Sequence, residues 1–79
     1  MNRKLSDEEI AWRKKFGDKL KRLIHIRSMT QKQVAFELGL DPSMLSRYIR
    51  GVHSPSAYTI EQLAKILKCD INYLYDVNS

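Results

Sequence analysis

The stretch from Gln31 to Arg50, QKQVAFELGLDPSMLSRYIR, decides the fold. Val34, Ala35 and Leu38 recur at helical spacing and give one apolar face. Gly39 follows them, and a residue at positive φ suits a helix C-cap. Asp41 then offers a capping carboxylate, and Pro42 sits at the first helical position, where no backbone N–H is needed. Leu45, Tyr48 and Ile49 make the inward face of the second helix, and Gly51 stops it. Thr30 caps the first helix of the pair, with Glu37 too far along to complete a capping box. The spacing therefore predicts two short helices meeting at the tight Leu38-Gly39-Leu40 turn. Ala35 is small enough to let the second helix approach closely.

The flanks read as further helices. Upstream, Ser6 with Glu9 three residues on has the capping-box pattern, and Leu5 and Ile10 stand where a hydrophobic staple forms. Asp7, Glu8 and Glu9 put negative charge at the positive end of the helix dipole. Trp12, Phe16, Leu20, Leu23 and Ile24 lie on one stripe, and the helix is expected to end near Arg27-Ser28. Downstream, the loop Val52-His53-Ser54-Pro55 leads into a fourth helix from about Ser56 to Lys68, with Ile60, Leu63, Ala64 and Leu67 inward. Asp70 caps a short fifth helix carrying Ile71, Tyr73, Leu74 and Tyr75. No stretch alternates with period two, so a sheet is not expected. The expected class is all-α: a compact five-helix fold, one domain over residues 1–79, with the helix pair at 31–50 inside it.

Composition narrows the class of function. The chain has 79 residues, of which 43% are hydrophobic, enough for one packed core. A chain of this size buries only about 60% of its unfolded surface, so a large internal pocket is not expected. No apolar run approaches a membrane span, and MNRKLSDEE lacks the apolar centre of a signal peptide. The one cysteine, Cys69, has no partner for an internal disulfide, which points to a reducing, cytoplasmic setting. The net charge is +5, which favours nucleic acid or an acidic membrane as partner. The excess sits in residues 1–29, with nine Lys/Arg against four Asp/Glu. A solvated basic helix accounts for that skew equally well. His25, His53 and Cys69 form no motif with Ser or Asp, and no Gly-rich phosphate loop exists. An enzyme is therefore not expected, nor a metal or other cofactor.

Two helices across a tight turn form a helix-turn-helix, whose second helix is about the width of the DNA major groove. Residues 16–75 resemble the lambda-repressor-like, or Cro/C1-type, helix-turn-helix family of small DNA-binding domains. Thr30-Gln31, Val34-Ala35, Leu38-Gly39 and Leu45-Ser46-Arg47-Tyr48 closing on Arg50-Gly51 carry the resemblance. The family's common ending is I-S-R-W-E-R-G, beside LSRYIRG here, and AYTIEQLAKILK (57–68) is similar to the fourth helix of the lambda repressor branch. The chain departs from the family at Pro42, where many relatives place a Gln, and at Ser28, a frequent Gly. Ile24 and Ile49 stand where relatives often pair Arg with Glu. Packed apolar side chains in place of a buried ion pair are often neutral or stabilising, so that change reads as a variation of the core.

The resemblance implies the roles of individual residues. Pro42, Ser43, Met44 and Arg47 would face base edges, with Arg47 bidentate on guanine and Met44 either on thymine methyls or in the core. Thr30, Gln31, Arg50, His53 and Ser54 would hold phosphates. Residues 1–5, with Arg3 and Lys4, are either a basic arm along the DNA or a frayed terminus. Ile71, Tyr73 and Tyr75 either join two copies or, with Leu74, cover the base of the domain. The implied function is a sequence-specific double-stranded DNA-binding transcription regulator. The expected type is a phage or mobile-element repressor, a homodimer at least on DNA, on a palindromic operator, with no membrane partner. The alternative is an antitoxin-type regulator whose main partner is a protein toxin. Lambda-type repressors carry a further C-terminal domain, so the chain is either a short repressor or a fragment of a longer one.

Overall fold

The computed structural model describes residues 5–76. Five helices follow in order: α1 (Asp7–Ile26), α2 (Gln31–Leu38), α3 (Pro42–Arg50), α4 (Ala57–Ile66) and α5 (Ile71–Tyr75). No strand occurs among the described residues. The arm expected over residues 1–5, with Arg3 and Lys4, lies outside the described residues except for Leu5.

Each helix starts where a short polar side chain accepts an otherwise orphaned N–H. Ser6 accepts from Glu9 N at 3.1 Å, Asp41 from Ser43 N at 2.9 Å, Ser56 from Thr59 N at 3.1 Å and Asp70 from Asn72 N at 2.7 Å. At α2 a full capping box forms, contrary to the expectation from Glu37. Thr30 Oγ1 accepts from Gln33 N at 3.0 Å, and Gln33 Oε1 accepts from Thr30 N at 2.8 Å. Gln33 stands at the third helical position, where an amide oxygen serves as well as a carboxylate.

The helix ends are as local as the starts. Gly39 closes α2 at φ 68° and Gly51 closes α3 at φ 76°, both left-handed. At the end of α1 that conformation falls on Ser28 (φ 56°), and after α4 on Lys68 (φ 55°). An L side chain there costs roughly 1–2 kcal/mol relative to a right-handed backbone. The left-handed Lys68 is why α4 stops at Ile66, short of the expected Lys68, with Cys69 N returning to Ala64 O at 3.0 Å.

The core draws on all five helices: Phe16, Leu20, Leu23 and Ile24 of α1, Val34 and Ala35 of α2, Leu45 and Tyr48 of α3, Ile60, Leu63 and Ala64 of α4 with Leu67, and Leu74 of α5. Each fully buried side chain of this size contributes about 1.5–3 kcal/mol. Leu38, Leu40, Met44 and Ile49 pack against the core from its edge. Leu5 is half-buried and Ile10 remains exposed.

Much of the basic charge of α1 is used inside the molecule. Arg27 donates from Nε to Leu67 O at 2.7 Å and from Nη2 to Lys68 O at 2.9 Å. Lys19 Nζ donates to Tyr73 O at 2.8 Å and Asp76 O at 3.0 Å, and it lies 4.3 Å from the centre of the Tyr73 ring. Trp12 Nε1 donates to Tyr75 O at 3.2 Å. Terminal helix carbonyls lack intrahelical donors and carry the negative end of the dipole, so cations placed there stabilise them. These side chains tie the ends of α4 and α5 to α1.

Helices α1 and α3 approach closely at Gly17. A Cβ there would lie 2.8 Å from both Ile49 C and Tyr48 O, with Ile49 O nearer still. Gly17→Ala therefore forces α3 off its seat. The expected cost is about 1–3 kcal/mol, read as a fall in melting temperature of roughly 4–8 °C per kcal/mol for a domain of this size. An unchanged melting curve would show that the two helices slide without cost.

Candidate nucleic-acid interface

With Leu45 and Tyr48 turned into the core, the helical repeat turns positions 43 and 47 of α3 outward. Asp41, Pro42, Ser43, Arg47 and Arg50 are exposed. Met44 is half-buried against the core edge, so it lies between the two roles open to it. Asp41 Oδ1 accepts from Ser43 N at 2.9 Å and from Ser43 Oγ at 2.8 Å. These two bonds hold the Asp41 carboxyl below its ordinary range, and the charge of Arg47 adds to the effect. The outer face of α3 thus carries an acceptor group at its start and a cation one turn later.

The other candidate residues fall in two groups. Thr30 and Gln31 are exposed at the start of α2, and Gln31 lines a shallow groove with Lys21, Ile24, His25 and Met29. On the other side, the loop between α3 and α4 is pinned to α1. Arg13 donates from Nε to Ser54 Oγ at 2.7 Å and from Nη1 to Val52 O at 3.3 Å. The Ser54 hydroxyl is therefore engaged as an acceptor and is half-buried. His53 is exposed, with its ring tilted and 6.3 Å from that of Tyr48. Nothing in the sequence singles out Arg13, which fixes this loop, or Lys21, and His25 stands out there only as a group without a catalytic motif, not as a neighbour of Gln31. Lys21 and His25 fall at i, i+4 on one face of α1, the only local signal they carry.

Among the described residues, no group of three or more His, Cys, Asp or Glu could hold a metal ion. Cys69 is half-buried, and burial pushes its thiol up, away from the thiolate that a nucleophile needs. No described helix is long and apolar enough to cross a membrane.

A short helix seated against a bundle across a tight turn, with a polar and basic outer face, defines the class of protein: a helix-turn-helix domain. The family model HTH_3, helix-turn-helix, matches residues 19–74; the chain belongs to this family and is a DNA-binding transcription regulator. It is similar to the restriction-modification controller protein C.AhdI from Aeromonas hydrophila. Identity is 33% over 81% of this chain and 97% of that one, with a TM-score of 0.77. An HTH_3 family transcriptional regulator from Vibrio cholerae shares the fold, with a TM-score of 0.78 and 21% identity over 89% of this chain and 39% of that one. No curated protein sequence matches the chain.

The Asp41 cap has a pH signature. Its carboxyl titrates lower in the folded protein than in the unfolded chain. Its contribution to stability is thus fully present above the ordinary Asp value and is lost as pH falls through the folded value. The stability difference between the wild type and Asp41→Asn should be flat above about pH 5 and change only below it. Chemical denaturation at a series of pH values measures it, and a change near neutral pH would contradict the assignment.

Proposed function

We propose that the protein is a repressor-type regulator that binds a palindromic DNA operator as a homodimer in the cytoplasm. The observation that carries this reading is the outer face of α3, where exposed Ser43 and Arg47 stand one turn apart while Leu45 and Tyr48 are held in the core. In this reading α3 enters the major groove. Pro42, Ser43, Met44 and Arg47 meet base edges, and Arg47 takes guanine through O6 and N7. Thr30, Gln31, Arg50, His53 and Ser54 hold phosphates on either side. The 33% identity to a restriction-modification controller supports a regulatory role for the chain as a whole.

Pairing follows from the arithmetic of recognition, because one short helix reads too few base pairs to select one site in a genome. The surface proposed for it is α5. Ile71, Tyr73 and Tyr75 are 40%, 42% and 60% exposed, while Leu74 is fully buried. The patch is thus reduced to three side chains, two of them already leaning on Lys19 and Trp12. So small a patch supports a weak dimer off DNA and a firm one on it.

Selection from random duplexes tests the base reading. Arg47→Ala should relax one position of the half-site and cost about 1–3 kcal/mol. Arg50→Ala should weaken all sequences alike and lower the slope of log affinity against log salt by about 0.9. A selected site left untouched by Arg47→Ala would refute the role given to that residue. For pairing, a gel-shift titration compares a full palindrome, with half-sites about 10–10.5 base pairs apart, with a single half-site. Two copies should bind the palindrome, and more tightly; equal affinities with one copy on each would refute the dimer.

A further inference from the structure

The hydrogen bonds on the outer face of α3 carry information about which bases it accepts. Pro42 has no N–H to offer. Both donors of Ser43 are committed, the backbone N–H at 2.9 Å and the hydroxyl at 2.8 Å, and both end on Asp41 Oδ1. An ionised carboxylate only accepts, and a serine oxygen whose proton is engaged keeps only its lone pairs. What the side chains over positions 41–43 keep toward solvent is Asp41 Oδ2 and the Ser43 lone pairs, all acceptors. Arg47 is the opposite case: a guanidinium has five donors and no acceptor.

The four bases divide cleanly against such a surface. In the major groove guanine shows N7 and O6, both acceptors, and thymine shows the acceptor O4. Cytosine shows the N4 amine and adenine the N6 amine, both donors, adenine beside its own N7 acceptor. Acceptor against acceptor leaves a desolvated pair unbonded, which a buried interface penalises. We propose that the Asp41–Ser43 pair makes the leading part of α3 an acceptor-only surface that selects a base carrying an exocyclic amine, cytosine or adenine. This rests on α3 being the groove helix, as proposed above.

The geometry also sets a distance to the guanine of Arg47. Positions 43 and 47 are about one helical turn apart, roughly 5–6 Å, against about 3.4 Å per base step. The amine-bearing base should therefore lie one or two base pairs from that guanine. Ser43 and Arg47 are both exposed and stand four residues apart, about one turn, on the same side of α3. The donor and acceptor parts of the face are therefore neighbours on the same stretch of groove.

Selected sites for the wild type, Ser43→Ala, Asp41→Asn and Arg47→Ala test the assignment. Ser43→Ala removes the serine lone pairs but leaves the Asp41 carboxylate, so the preference for cytosine or adenine at one position, roughly five- to ten-fold in the wild type, should weaken. Asp41→Asn retains a capping oxygen and adds an N–H donor, so guanine or thymine should become tolerated at that same position. Arg47→Ala should lose a guanine one or two base pairs away. Far-UV circular dichroism of each variant checks that the helices are retained. The inference is overturned if Ser43→Ala weakens preference at no position, or if the position weakened prefers guanine or thymine. It is also overturned if Asp41→Asn leaves the cytosine or adenine preference intact. Failure of the underlying reading looks different: the wild type itself would then enrich no sequence.

Discussion

Gly17 lies against the backbone of Ile49 with no side chain between, and the position of α3 follows from that contact. Further along, the Gly51 backbone meets α1 again, where an added Cβ would lie 3.0 Å from Lys14 Cα. The C-terminal half of α3 therefore rests on α1 at two backbone contacts and buries Tyr48 between the elements. Once that half is seated, the helical repeat leaves no choice for the rest. Leu45 must enter the core, and Ser43 and Arg47 must leave it. The outward chemistry of the face is a result of how deeply its inner side is set.

Local signals were readable in the residues, and distant ones were not. Ser6, Thr30, Asp41, Ser56 and Asp70 act on N–H groups two or three residues away, so a cap is legible from a short window. Gly39 and Gly51 are legible for the same reason. Gln33 is a lesson in chemistry: an amide oxygen closes the box of α2, and position matters more than charge. Gly17 carried no signal at all. A glycine inside a helix looks like a weak point until the neighbouring backbone is in view.

The site divides in the same way. That α3 turns 43 and 47 outward follows from the spacing of Leu45 and Tyr48. That Ser43 is locked to Asp41 does not follow from spacing, because it depends on a side-chain rotamer. Arg13, Lys19 and Arg27 were simply counted among the basic residues of α1. Their partners Ser54, Tyr73 and Leu67 lie 41, 54 and 40 residues further along, beyond any periodic pattern. The charge skew of the amino-terminal third thus mixed two populations that composition cannot separate.

That mixture bears on how the surface can be redesigned. Stripping lysines and arginines to reduce non-specific attraction to polyanions is a common way to make a protein better behaved. Here a choice made on charge alone would strike Arg13, Lys19 and Arg27 as readily as the others. Each of these removes donors from carbonyls or hydroxyls that hold a loop or a helix end in place. The chain would lose cohesion together with charge, and a variant intended only to be less sticky would melt earlier. Recharging has to begin instead with cations such as Lys32, at the exposed start of α2, whose removal leaves no helix end without its donor.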